Sequence, residues 1–131
     1  MDHKPSRILI IDDDESIRET LQVALAAEGY DVIAAGDGAE GLVRVERDAP
    51  DVVILDLVMP KRSGFLIAER LHNYKGRRPA IIMMTGLLDE KHKQAAKACG
   101  VDAFVNKPFD IDSLLQTVKS FLQSANESPD G

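Results

Sequence analysis

The sequence predicts an open α/β fold, a doubly wound sheet of five parallel strands in the order 2-1-3-4-5 covered by five helices. Three observations predict it. Short β-branched runs alternate with stretches of helical spacing, the pattern of a parallel sheet covered on both faces. Four of those runs end on a reactive side chain: Ile8-Leu9-Ile10-Ile11 on Asp12-Asp13-Asp14, Val52-Val53-Ile54-Leu55 on Asp56, Ala80-Ile81-Ile82-Met83-Met84 on Thr85, and Ala103-Phe104-Val105-Asn106 on Lys107-Pro108. Right-handed crossovers leave few topologies for such a sheet, and they bring these groups to one edge, where open α/β folds bind ligands.

The elements follow in order. After the first run, Asp14 is an N-cap candidate; Ile17, Leu21, Ala24 and Leu25 make an apolar helical stripe, and Gly29 closes the helix as a C′ residue. Asp31-Val32-Ile33-Ala34-Ala35 reads as a second strand. Asp37-Gly38-Ala39-Glu40 is a capping-box variant that opens a helix to about Arg47. Pro50-Asp51 leads into the third strand, which Met59-Pro60 cannot continue because proline lacks an N–H. A helix over roughly 65–73 comes next, then the basic stretch Lys75-Gly76-Arg77-Arg78, read as a solvated loop, and the fourth strand. The helix over 89–99 has a thin apolar face, mainly Ala95, Ala96, Ala98 and Cys99, and Gly100 ends it. Beyond the fifth strand, Ile111, Leu114, Leu115, Val118 and Leu122 line one face of the last helix.

Length and charge narrow the function. The 131 residues suit one domain over 7–123, with 1–6 as a lead-in and 124–131 as a polar tail or truncated linker. A formal charge of −6 argues against direct nucleic-acid binding, which needs clustered Lys and Arg. No apolar run approaches the ~20 residues of a membrane span, and the lead-in lacks the apolar stretch of a secretory signal. The single cysteine, Cys99, excludes an internal disulfide and suits a reducing compartment, so the expectation is a soluble cytoplasmic protein without membrane contact. His3, His72 and His92 are scattered and read as surface residues, and Cys99 as a helix-packing one.

In the predicted order the first and third strands are neighbours, so Asp12, Asp13 and Asp56 converge. Two carboxylates ~4 Å apart repel by ~4 kcal/mol at an effective dielectric of ~20. A cluster of three needs a cation or protonation. Hard oxygen ligands favour Mg²⁺, with Mn²⁺ an alternative, over Zn²⁺, for which no Cys/His cluster exists.

Taken together and in order, Ile10-Ile11-Asp12-Asp13-Asp14, Ile54-Leu55-Asp56-Leu57-Val58-Met59-Pro60, Met83-Met84-Thr85-Gly86 and Asn106-Lys107-Pro108-Phe109 resemble the receiver domain of two-component response regulators. The likeness covers about 7–122 and implies a flavodoxin-like fold. It also implies a phosphorelay function in which Asp56 takes a phosphoryl group from a sensor histidine kinase or phosphotransfer protein. By the same resemblance Asp12, Asp13, Asp56 and the Val58 backbone carbonyl hold Mg²⁺, and Thr85 and Lys107 bind the phosphoryl oxygens. The Lys107-Pro108 bond is expected to be cis. Phe104 takes the place of the aromatic switch residue and lacks a phenol hydroxyl. The face made by the fourth helix, fifth strand and fifth helix is expected to switch and to regulate a downstream effector or output domain. Such a chain is a signalling module that catalyses only its own phosphoryl transfer and dephosphorylation, as a monomer or a phosphorylation-dependent dimer. The fifth helix carries one basic residue, Lys119, so the charged ladder of winged-helix regulators and their dimer mode are not assumed.

Val58 and Leu87 are apolar where relatives can carry polar residues that position hydrolytic water, so slow self-dephosphorylation is expected. Gly86 leaves the acceptor open to donors, including small ones. The competing readings are an Mg²⁺-dependent aspartyl-nucleophile phosphatase, disfavoured because Val58 stands where its second acid belongs, and a flavodoxin-like cofactor carrier, whose phosphate the first acidic run would repel.

Overall fold

The computed structural model describes residues 5–57, 64–74, 76, 78–86 and 90–126, with backbone alone at 65 and 124–126. The elements alternate as predicted: β1 (Arg7–Ile11), α1 (Glu15–Ala27), β2 (Asp31–Ala35), α2 (Gly38–Asp48), β3 (Val52–Asp56), α3 (Gly64–His72), β4 (Ala80–Thr85), α4 (Glu90–Ala98), β5 (Ala103–Asn106) and α5 (Ile111–Asn126). All strand pairs are parallel, in the order β2-β1-β3-β4-β5.

The continuous apolar runs divide by strand alternation into two cores. Leu9, Ile11, Val53, Leu55, Ile81 and Met83 face one side, against Val45 of α2, Ile67 and Leu71 of α3 and Ala96 of α4. Ile8, Ile10, Val52, Ile54, Ile82 and Met84 face the other, against Leu21 and Leu25 of α1 and Leu114, Val118 and Leu122 of α5. Pinned from both faces, β1, β3 and β4 hold their C-terminal ends in fixed register.

Local capping sets where the helices begin and end. The Asp14 carboxylate accepts from the N–H groups of Ser16 (2.9 Å) and Ile17 (3.3 Å). At the other end Gly29 has φ +92°, and the N–H groups of Gly29 and Tyr30 reach the carbonyls of Ala26 and Leu25, a Schellman closure. Asp37 accepts from Glu40 N–H at 2.9 Å, but the Glu40 carboxylate reaches back to Gly36 N–H at 3.3 Å, one residue earlier than a standard capping box.

Strands β2 and β5 are the sheet edges, as the predicted order requires, and most of their residues are only half-buried. Other expectations are corrected. Helix α4 buries Ala96, whereas Ala95 and Ala98 are exposed and Cys99 only packs partly against the core. Helix α5 runs on to Asn126, into the stretch read as polar tail. Arg78 is no solvated loop residue: its guanidinium donates to the Gly100 carbonyl at 2.7 Å and to His72 Nδ1 at 3.2 Å, and pairs with Asp102 at 3.3 Å. The readings at Met59-Pro60, Lys75 and Arg77 lie outside the described residues.

The N-terminal sheet edge is stitched by an ion pair and several hydrogen bonds. Arg7 N–H donates to Asp51 at 2.8 Å, and its guanidinium to Asp31 at 2.7 Å and to the Asp48 carbonyl at 2.6 Å. Asp102 accepts from Ile81 N–H at 2.8 Å and returns its own N–H to the Ile81 carbonyl at 2.8 Å. The opposite edge is left for function. Among the described residues, no helix is long and apolar enough to cross a membrane.

Candidate functional site

Asp12 follows the last residue of β1, and Asp56 and Thr85 end β3 and β4. The register puts Ile11 beside Leu55, Asp56 beside Met84, and Thr85 beside Asn106, so these side chains share one edge with Lys107. Among the described residues, the buried polar side chains are Asp12, Asp56 and Thr85. All three stand here. Burying charge is costly unless a partner offsets it, so their concentration marks a built site.

One carboxylate oxygen each from Asp12, Asp13 and Asp56 lie within 4.8 Å of one another, with Asp13 exposed and the other two buried. Lys107 Nζ approaches Asp12 Oδ2 at 2.9 Å and Asp56 Oδ2 at 3.3 Å. Burial pulls the Lys107 pKa down, but the contact with and charge of Asp12, then the charge and contact of Asp56, outweigh it and raise it above the ordinary lysine value. The ammonium is therefore charged at neutral pH.

The backbone of Asp12 is tightly held. Its N–H donates to the Ala35 carbonyl at 3.2 Å, its Oδ1 accepts from Asp14 N–H at 2.9 Å, and its carbonyl accepts from Arg18 Nη1 at 2.8 Å. Oδ2 is different: fully buried, it has an ion-pair contact with Lys107 but no directed hydrogen bond. A buried carboxylate oxygen with spare lone-pair capacity, on a residue whose carboxylate groups with those of Asp13 and Asp56, suits a hard divalent cation. Three carboxylates against one ammonium leave negative charge for it to balance. The residues present fit Mg²⁺ or Mn²⁺.

The other predicted positions fall as follows. Lys107-Pro108 is cis, and Lys107 N–H donates to the Thr85 carbonyl at 3.0 Å, joining β4 to the lysine. Gly86 is exposed, and a Cβ there would meet only the Lys107 carbonyl oxygen, at 3.7 Å. Phe104 is half-buried; with Val105, Pro108, Phe109, Ser113 and Thr117 it lines a cavity of about 340 Å³ between β5 and α5. Val58 and Leu87 lie outside the described residues. Two contacts were not anticipated from sequence. Arg18 reaches the Asp12 carbonyl from α1, and Gly64 opens α3 with its N–H donating to the Leu57 carbonyl at 2.8 Å. The signal for Arg18 was its place early in α1, because long helical side chains lean toward the N-terminus and so toward the end of β1.

A doubly wound sheet with three carboxylates and a lysine at its switch-point edge defines an α/β protein with an acidic, cation-accepting site. Residues 8–119 match the response regulator receiver domain, and the chain belongs to that family. It is similar to the alkaline phosphatase synthesis transcriptional regulatory protein PhoP of Bacillus subtilis, 38% identical over 117 residues, covering 89% of this chain and 48% of that protein. It is also similar to the DNA-binding dual master transcriptional regulator RpaA of Synechocystis, 36% identical over 126 residues, covering 94% and 52%. The chain thus spans about half the length of these curated relatives. Among solved structures, the chemotaxis protein CheY4 of Vibrio cholerae superposes with a TM-score of 0.83 at 33% identity, covering 90% of this chain and 99% of that one. A CheY-like receiver domain protein of Methanospirillum hungatei gives 0.87 at 30% identity, covering 92% and 96%. The chain is a receiver signalling domain of the two-component type, so the phosphatase and cofactor-carrier readings fall away.

Proposed function

We propose that Asp56 is the phosphoacceptor, taking a phosphoryl group from a phosphohistidine on a sensor kinase or phosphotransfer protein. The observation that carries this reading is the buried Asp56 carboxylate facing Lys107 Nζ at 3.3 Å, beside Asp12 and Asp13 at an open sheet edge. An oxygen of Asp56 attacks phosphorus, the P–N bond breaks, and the leaving imidazole keeps the electron pair. Catalysis of such a transfer is positioning plus neutralisation of charge on the equatorial oxygens.

Asp12, Asp13 and Asp56 would hold Mg²⁺ (or Mn²⁺), with the Val58 carbonyl as a further ligand. When bound, the ion supplies charge neutralisation at the phosphoryl oxygens and lowers the mutual repulsion of the carboxylates. Lys107 keeps its proton and moves from pairing two carboxylates to pairing a carboxylate and a phosphoryl oxygen. The Thr85 hydroxyl, at the end of β4, donates a hydrogen bond to a phosphoryl oxygen. Its shift is read out by Phe104 on β5, and thereby by the α4-β5-α5 face, as a change of population between two packings.

This face regulates a downstream effector or an output domain, with the chain a monomer or a phosphorylation-dependent dimer in the cytoplasm. Any nucleic-acid contact belongs to a partner or output domain rather than to this chain. Gly86 leaves access for the donor, and apolar Val58 and Leu87 fail to orient hydrolytic water, so the phosphoryl group persists for many minutes without a phosphatase. Acetyl phosphate with Mg²⁺ tests the reading: the wild type gains acid-stable, base-labile label and Asp56→Asn gains none. Equal labelling of both would move the acceptor elsewhere.

A further inference from the structure

We infer that Arg18 is a positioning residue for the metal-binding carboxylates: its guanidinium holds the Asp12–Asp13 peptide plane and, through it, the direction of the Asp13 side chain. The inference rests on the reading of Asp12, Asp13 and Asp56 as a cation site.

The geometry is specific. Arg18 Nη1 donates to the Asp12 carbonyl oxygen at 2.8 Å. That oxygen belongs to the planar peptide joining the two acids, so holding it sets the plane from which the Asp13 Cα–Cβ bond departs. Asp12 has its own restraints, through Ala35 and Asp14. Asp13 is exposed, and the peptide before it carries the Arg18 hydrogen bond in addition to the turn that Asp12 Oδ1 closes onto Asp14 N–H. The same guanidinium lies against the β2–α2 turn, where a Cβ on Gly36 would stand 3.5 Å from Nη1 and 3.7 Å from Cζ. Gly36 N–H is in turn held by Glu40, which belongs to α2. Arg18 thus braces the acid loop between α1 and the start of α2.

Charge and geometry make opposite predictions here. As a cation near the acids, Arg18 opposes a divalent ion, so charge alone makes Mg²⁺ bind tighter once the arginine is neutralised. As a tether it favours Mg²⁺, and outer-shell partners of metal ligands are typically worth roughly 10–100-fold in affinity. Salt separates the two, because at ~1 M the screening length is only ~3 Å and the long-range charge effect fades.

The test is Mg²⁺ titration by calorimetry at low and at molar salt, with ¹H–¹⁵N spectra to verify the fold. It compares wild type, Arg18→Gln, Arg18→Lys and Asp13→Asn. The expected result at molar salt is Mg²⁺ affinity weaker by about tenfold in Arg18→Gln. A smaller loss is expected in Arg18→Lys, which keeps the charge and one donor but not the planar fork. Arg18 is only half-buried on the outside of α1, so both variants are expected to fold; should Arg18→Gln unfold, Arg18→Lys carries the test alone. Unchanged or tighter binding in the folded variants overturns the Arg18 inference and leaves the metal site standing. Absence of Mg²⁺ binding by the wild type, or equal binding by Asp13→Asn, overturns the metal site and the inference with it.

Discussion

A methyl group at position 64 should damage both stability and phosphorylation, the second more than the first. A Cβ on Gly64 would stand 2.3 Å from the Asp56 carbonyl oxygen, 2.7 Å from Leu57 Cα and 2.9 Å from the Leu57 carbonyl oxygen. All three are backbone atoms, and Gly64 N–H is already bonded to the Leu57 carbonyl, so no flexible side chain can yield. Either α3 lifts or the end of β3 shifts. Overpacking of this kind costs ~1–3 kcal/mol. Alanine recovers part of ~1 kcal/mol in helix propensity, less at a first helical residue than inside. The expected net loss for Gly64→Ala is about 2 kcal/mol, a fall in Tm of roughly 6–10 °C for a chain of this size. The fold survives, since domains carry ~5–15 kcal/mol. The displaced oxygen belongs to Asp56, the proposed acceptor, and misplacement by ~1 Å can cost ~100-fold in rate. Labelling by acetyl phosphate should therefore slow by more than about tenfold. Gly29→Ala is the control: φ is +92° with nothing within 4 Å of the added Cβ, so it meets backbone strain of ~1–2 kcal/mol and no steric conflict. It should lower Tm and leave the labelling rate intact. Wild-type Tm and labelling in Gly64→Ala, or equal slowing in Gly29→Ala, would refute the reasoning.

Three further outcomes follow from other contacts. Lys107→Ala leaves buried Asp12 facing Asp56 without its ammonium, and breaking such a pair costs ~3–5 kcal/mol; in urea unfolding the loss should be large in EDTA and partly recovered in excess Mg²⁺ by linkage, whereas an equal loss in both contradicts the cation site. Asp102→Ala removes the acceptor of Ile81 N–H at the opposite sheet edge, so it should cost ~1–3 kcal/mol with labelling at Asp56 unchanged; slowed labelling would mean the two edges are coupled. Burial, with a smaller contribution from Glu69, raises the Cys99 thiol above its ordinary pKa, so iodoacetamide at pH 8 should alkylate the folded chain more slowly than the urea-unfolded chain, and matching rates would contradict it.

Much of the site was legible because each reactive group terminates an apolar run. Once β1, β3 and β4 are buried parallel neighbours, Asp12, Asp56 and Thr85 must share an edge, and strand order alone brings Asp13 and Lys107 to it. The caps at Asp14 and Gly29 were equally plain, since short acceptor side chains and a positive-φ glycine have few other uses at those positions. What stayed hidden depends on three-dimensional closeness. That Arg18 folds back onto the Asp12 carbonyl, or that Gly64 rests against Asp56, is set by helix packing and not by any local pattern. Arg78 looked like part of a basic loop because two of its three described partners, Gly100 and Asp102, are more than twenty residues away. The thin face of α4 was overestimated for a related reason: alanine spacing shows which residues share a stripe, but only Ala96 reaches the core.

The central claim is that Asp56 is the residue that carries phosphoryl. Borohydride reduces an acyl phosphate to an alcohol, so treating the Mg²⁺- and acetyl phosphate-exposed protein and mapping its peptides locates the acceptor directly. The account predicts homoserine in place of Asp56, with Asp12 and Asp13 unaltered. Homoserine at Asp12 or Asp13, or an unmodified Asp56 in protein that has taken up label, would contradict it.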